Sequence, residues 1–392
     1  ASRRCCAGAG RMGFFMMTKY LILTLATIFF LGACGVKSPE RQGPPEKFNE
    51  VTAEVSQEAT LPEPKVNILF VVDNSGSMKG YQAKMAENIE LFAETFLENS
   101  RVDYRIGVVP VYDSKYLNDK TVYVPSGVRK MNPLGELVKL KAADGKEITD
   151  QVYITRDTPN PKEVLKNTVM IGTQWGPEAE ESFSPVLAVT NLQLNEEKNK
   201  GFYQPDAYLA VIFLTDADDV TPGLSAEDFY QKLVDLKGGD RSKVLIAAAL
   251  PNLDKKSANC ATDGRGPVQA FPSLLSVSGG IFADLCSRDF GSHLAEFGHN
   301  LVQRVAAQKR QLEFTPDITT LKVSFGTKEN PDQQILERPR DYTFNPDTNE
   351  IVLSPFLKLS RSEGATLRVS AKPVSLGNFK NDRATPINRV QQ

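Results

Sequence analysis

Histidine, tryptophan and cysteine are scarce: the 392 residues hold two, one and five of them. His293 and His299 stand six apart, a poor spacing for one helix face, so position suggests no Ser–His–acid set. No Cys-x-x-Cys occurs, which leaves a zinc site little to build on. A phosphate loop is lacking as well. Gly8-Ala9-Gly10-Arg11-Met12-Gly13 fits Gly-x-Gly-x-x-Gly, but no strand precedes it, so it reads as a chance match. The apolar stretch from Tyr20 to Ala33 has 14 residues, short of the roughly 20 needed to span a bilayer. Basic excess is missing too. Of 46 basic residues, Arg3, Arg4, Arg11 and Lys19 precede Cys34, which leaves 42 against 48 acidic residues. That balance gives no global electrostatic reason to bind nucleic acid or an anionic membrane.

What is present is a globular composition, 41% hydrophobic and 24% charged, in a chain long enough for two domains or one large domain with extensions. Lys19 followed by the apolar stretch has the order of a signal peptide. The stretch closes in Leu31-Gly32-Ala33-Cys34, which resembles a bacterial lipobox. The resemblance implies cleavage before Cys34 and lipid on its sulfur and new amino group. Several acyl chains anchor stably where one binds marginally. An uncleaved helix from about Met12 to Ala33 is the plainer alternative. Gly35, not Asp, follows the cysteine, which by the enterobacterial sorting rule favours the outer membrane of the cell envelope. Residues 1–16 read as upstream of a start at Met16 or Met17. Residues 35–65, with Pro39, Pro44, Pro45, Pro62 and Pro64 among Glu, Gln and Lys, read as a disordered tether reaching roughly 30 Å.

From Val66 the pattern alternates. Val66 to Val72 and Ala207 to Thr215 are apolar runs with the length of buried parallel strands. A helix is expected over Lys79 to Asn99, then a strand over Asp103 to Val111. Val122 to Val124 and Val152 to Ile154 read as short strands. Asn160 and Pro161 read as a cap and first-turn proline. A further helix is expected from Pro177, kinked or split at Pro185. Ser225 with Asp228 starts another helix. Lys243 to Leu250 and Ile281-Phe282 are strands, and the last helix runs from about Ser292 to Arg310. The fold class is therefore α/β over 66–308, a mostly parallel central sheet with helices on both faces. Residues 309–375 read as a small β module, separate and sandwich-like or packed on the main domain. Residues 376–392 read as a frayed tail.

Each of the two strong strands ends in a carboxylate: Asp73 opens the turn Asp73-Asn74-Ser75-Gly76-Ser77, and Asp216 follows Thr215. If the strands are neighbours, both face one crevice, at the strand ends where open α/β sheets bind ligands. Two carboxylates that close repel unless a cation sits between them. Ser75 and Ser77 add neutral oxygens on the same turn, and an all-oxygen set suits Mg²⁺ or Ca²⁺ over zinc.

The Asp-x-Ser-x-Ser turn with the later strand-ending Asp resembles the metal-ion-dependent adhesion site of a von Willebrand factor A domain. The resemblance covers about residues 66–308 and implies a Rossmann-like fold. It also implies a threonine ligand, for which Thr173 in Gly172-Thr173-Gln174-Trp175-Gly176 is the candidate. By this resemblance Ser75, Ser77 and Thr173 coordinate Mg²⁺ (or Ca²⁺ or Mn²⁺) directly, and Asp73 and Asp216 bind directly or through water. A partner protein or surface macromolecule completes the sphere, often with an acidic side chain. Asp218 and Asp219 extend an acidic rim, or form a solvated loop. Trp175 reads as a loop anchor or a partner contact. Gly201 to Ala207, Cys260 and Asp284 to Phe290 resemble segments of secreted or lipidated bacterial A-domain proteins and carry no evident chemistry.

With Cys5 and Cys6 upstream and Cys34 lipidated, Cys260 and Cys286 remain as an even pair in an exported chain. A disulfide between them would close a loop of about 27 residues, worth roughly 3.5 kcal/mol by chain entropy; two free buried thiols are the alternative. The function expected is partner binding in adhesion, recognition or envelope assembly, not catalysis. The alternatives are a structural envelope component that binds independently of metal, and a metal-assisted hydrolase.

Overall fold

The structure is a computed structural model that describes residues 53–97, 102–114, 121–124, 127–130, 133–173, 179–251, 269–360 and 364–374. Strand β1 is Val55–Ala59, and β2 is Lys65–Val72, with every residue from Val66 to Val72 buried. A single 3₁₀ turn at Gly76–Met78 leads into helix α1, Lys79–Leu97. β3 (Asp103–Pro110), the hairpin β4 (Thr121–Val124) and β5 (Gly127–Lys130), and β6 (Tyr153–Ile154) follow. Three helices come next: α2 (Pro161–Val169), α3 (Phe183–Val189) and α4 (Leu192–Glu197). β7 (Tyr208–Leu214), α5 (Ala226–Asp235), β8 (Val244–Leu250), α6 (Ala270–Ser278), β9 (Ile281–Asp284) and α7 (Phe290–Ala306) complete the alternation.

These strands form a six-stranded sheet among the described residues, in the order β6-β3-β2-β7-β8-β9. Five strands run parallel and β6 pairs antiparallel at the edge. Side chains alternate across a strand, and β2 shows the division. Ile68, Phe70 and Val72 join one core with α1, α2 and α7. Leu69 and Val71 join the other with α3, α5 and α6. The α/β architecture expected from the alternating pattern is the one observed.

On the α1 side, Phe92 sits edge-on to Phe70 at 5.6 Å and stacks on Phe96 and Phe297. α7 approaches α1 closely at Gly298, where a Cβ would lie 3.1 Å from the Phe92 ring. At the far end of the sheet Asn67, fully buried in β2, donates to Phe202 O (2.7 Å) and accepts from Gln204 N (2.9 Å). Lys237 closes the same segment. Its Nζ donates to Gln204 O at 3.1 Å and lies 4.3 Å from the Tyr203 ring, and burial pushes its pKa down to about 8. The conspicuous Gly201 to Ala207 segment thus belongs to the end of the sheet opposite Asp73.

After α7 come β10 (Gln308–Gln311), β11 (Lys322–Gly326), β12 (Gln334–Leu336), β13 (Tyr342–Asn345), β14 (Glu350–Leu353) and β15 (Thr366–Ala371). They form two small sheets, β1-β15-β11-β12 and β10-β14-β13. Leu312, Val323, Leu336, Tyr342, Ile351, Leu353, Leu367 and Val369 make their shared core.

Three expectations need correction. The tether does not extend to residue 65: Val55–Ala59 is a strand paired antiparallel with β15, Val55 opposite Ala371 and Ala59 opposite Leu367. Ser56 and Glu58 are exposed while Val55, Gln57 and Ala59 are half-buried, so a largely polar segment reads as solvated although every second side chain turns inward. No kinked helix passes through Pro185, because α3 begins at Phe183 and places that proline in its first turn, where no donor is needed. Asn160 stands at the N-cap with Pro161 opening α2, as expected, but makes no side-chain cap bond: it adopts the left-handed conformation, and its carbonyl accepts from Val164 N. Cys286 is buried, and Cys260, like Cys34 and Trp175, lies outside the described residues. Among the described residues no helix is long and apolar enough to cross a membrane.

Candidate metal centre

β2 and β7 are adjacent and in register, with Val72 opposite Leu214. The chain leaves β2 for β3 on one side and later returns to β7 on the other. The crevice at these two strand ends is therefore a switch point of the sheet. Asp73 follows β2 directly and its amide donates to Leu214 O at 2.8 Å. Asp216 comes two residues after Leu214.

Asp73 is fully buried. Its Oδ1 accepts from Ser75 N at 2.7 Å, and its Oδ2 from the Thr215 hydroxyl at 2.8 Å. Burial outweighs those bonds and pushes its pKa up to about 6, with the nearby Asp216 charge adding to the shift. The Ser75 and Ser77 hydroxyls lie 3.1 Å apart, and Ser77 Oγ donates to Asp216 Oδ1 at 2.9 Å. Ser75 and Asp216 are buried, whereas Ser77 is exposed. Four of the five expected residues are thus brought together on one open-sided crevice.

The fifth, Thr173, is half-buried. Its neighbour Gly172 is tied to the turn through Gln82 of α1. Gln82 Nε2 donates to Asp73 O at 2.7 Å and to Gly172 O at 3.3 Å, and Gln82 Oε1 accepts from Gly172 N at 3.0 Å.

Sequence reasoning missed three contributors: Thr215, Gln82 and Glu180. Burial pushes Glu180 up to about 8, with the charges of Asp73, Asp216 and Asp113 adding to the effect. Its carboxylate is near enough to feel the charges of Asp73 and Asp216, and like charges that near one another favour a counter-cation. Asp218 and Asp219, by contrast, are not a rim. Asp218 accepts from the amides of Gln269, Ala270 and Phe271 at the start of α6. Asp219 accepts from Ser182 N and Phe183 N at the start of α3. Both neutralise helix N-termini. A signal for Gln82 did exist, since it falls on the helical stripe of Met78, Met85, Ile89 and Phe92.

The donor set fits a hard cation. It offers hydroxyl and carboxylate oxygens at hydrogen-bonding distance from one another, which is the chemistry of Mg²⁺ and Ca²⁺ sites. Asn74 Oδ1, in the same turn, is a buried acceptor with no partner among the described residues. No group of three or more His, Cys, Asp or Glu among those residues is placed to hold a metal, so a cation here depends on the serine hydroxyls. The histidines lie elsewhere, on α7, with His299 stacked on Phe356 at 4.3 Å.

No family model matches the chain, and no curated protein matches it in sequence. Solved structures resemble it distantly. Proximal thread matrix protein 1 from the mussel byssus, described in one structure as having a zinc-occupied MIDAS motif, is 14% identical with a TM-score of 0.34. The match covers 66% of this chain and 52% of that one. The pilus adhesin SpaC from Lactobacillus rhamnosus GG is 10% identical with a TM-score of 0.35, over 83% of this chain and 42% of that one. The chain thus spans about half the length, or less, of the structures it resembles. Likeness this distant leaves function to be argued from the site itself.

Proposed function

We propose that this chain is a von Willebrand factor A domain protein that holds a macromolecular partner through a divalent cation bound by Asp73, Ser75, Ser77, Thr173 and Asp216. Mg²⁺ is the expected ion, with Ca²⁺ or Mn²⁺ as substitutes. The observation that carries the reading is the run of contacts from Ser75 through Ser77 to Asp216, beside the buried Asp73, at the ends of two adjacent parallel strands. The two serine hydroxyls would contact the ion directly. Asp73, whose oxygens already hold Ser75 N and Thr215, would act through its remaining lone pairs or through water. The bound ion supplies a Lewis-acidic position at which an outside carboxylate completes the shell. Ser77, the exposed member, marks the side from which a partner approaches.

Titration calorimetry tests the cation. The intact protein is expected to bind Mg²⁺ or Mn²⁺ with one site, and Asp73→Asn is expected to weaken that binding at least about tenfold, the scale of losing one charged ligand interaction. Equal, negligible binding by both proteins sinks the reading. We also propose that the chain is exported and anchored by lipid on Cys34, on the strength of the Lys19 to Cys34 sequence alone. Acyl labelling that disappears in Cys34→Ala supports the anchor; labelling that persists, or never occurs, counts against it.

A further inference from the structure

We infer that Gln82 is a positioning residue: its side-chain amide fixes the Thr173 loop against the Asp73 turn and so sets how tightly the centre holds its cation. The inference rests on the cation reading above. Gln82 is 4% exposed and lies on the stripe of α1 that faces the core, four residues after Met78 and three before Met85, both fully buried. A primary amide left unpaired in such a place is strongly destabilising, and an apolar side chain would pack there without that cost. What the amide supplies is a bridge. Its nitrogen reaches the carbonyl of Asp73, the residue that opens the serine turn. Its oxygen and nitrogen also take the N–H and C=O of Gly172, gripping a single residue at two points.

The gripped residue is the one that needs holding. Gly172 has φ +92°, a conformation that side-chain-bearing residues rarely adopt. A glycine there is free to move unless something fixes its peptide groups. Thr173 follows directly, so the orientation of its hydroxyl depends on the Gly172 peptide. Asp73, Ser75 and Ser77 come from the end of one strand, while Thr173 comes from a segment about 100 residues later. Gln82 links the two without offering a ligand itself. Groups that orient metal ligands typically change affinity by 10- to 100-fold when removed.

Two measurements test this. The first needs no metal. In the cation-free protein the Gly172 amide should be protected from hydrogen exchange, and Gln82→Met should abolish that protection while the Ser75 amide, held by Asp73, keeps its own. Unchanged exchange at Gly172 overturns the inference, and loss at both sites marks general loosening, which also counts against it. The second is a double-mutant cycle read by Mn²⁺ affinity. Q82M should weaken Mn²⁺ by roughly 10- to 100-fold in the native background, yet by less than about threefold when Thr173 is already Val. Losses that multiply mean Gln82 does not act through Thr173. Wild-type affinity equal in Q82M rejects its role, whereas a wild-type protein that binds no Mn²⁺ rejects the cation reading and the affinity role together, and is told apart by that result. Should Q82M not fold, Gln82→Asn keeps an amide one carbon too short to span both loops and carries the same expectations.

Discussion

Asp73 is the residue on which the chemistry turns. It is a carboxylate without exposure, held by one amide and one hydroxyl, and its pKa of about 6 lies above the ordinary carboxylate range. The sign of the pH effect follows from that direction. A folded-state pKa above the unfolded one contributes stability that is complete below the unfolded value and is lost as pH rises through the folded value. Glu180, raised to about 8, acts in the same sense over a higher range. The cation-free protein should therefore melt at a lower temperature at about pH 8 than at about pH 5.5, and Asp73→Asn should flatten part of that slope. Saturating Mg²⁺ should raise the melting temperature most at the alkaline end. A chelated wild type whose melting temperature rises steadily with pH would contradict the account. The carboxylates and serines were legible in the sequence because each follows or ends an apolar strand. Thr215 was hidden because its role depends on the register of β7 against β2, which no local pattern carries. Asp218 and Asp219 misled because contacts to helix starts 52 and 36 residues away in the chain look, in sequence, like a plain acidic loop.

Elements were legible where burial was continuous or periodic. β2, β7, β8 and α1 announce themselves by long apolar runs or a helical stripe. β1 does not: five residues with alternate side chains half-buried resemble tether until β15 is there to pair with them. The strand has a clear consequence. It forms one edge of its sheet and covers β15, whose backbone groups would otherwise lie open. A chain that begins at Thr60 should keep a folded α/β sheet but show fast amide exchange along Thr366–Ala371, and should self-associate more readily. Equal protection of those amides with and without Val55–Ala59 would show that the pairing does not stabilise the module.

For the whole molecule, β1 and β15 put the two ends of the described chain in one sheet, so the α/β sheet is an insertion between β1 and the later strands of the β module. The two connecting segments run side by side there. Gln308 Nε2 donates to Pro62 O at 2.7 Å and Arg310 Nη2 to Thr60 O at 2.9 Å. The β module was foreseen from turn signals after Arg310, but its use of a strand that precedes the α/β sheet was not, because pairing over more than 300 residues leaves no local mark. The crevice of Asp73, Ser75, Ser77 and Asp216 lies at the strand ends of the inserted sheet, away from the Gly201 to Gln204 segment at the opposite ends.

The central claim is that this crevice holds a divalent cation. It is tested most directly by crystals grown with saturating Mn²⁺ and read by anomalous scattering. The account predicts one strong peak bonded to Ser75 Oγ and Ser77 Oγ, with Asp73 and Asp216 beside it. A crevice without a peak at saturating Mn²⁺, or a peak bound only elsewhere on the protein, would contradict it.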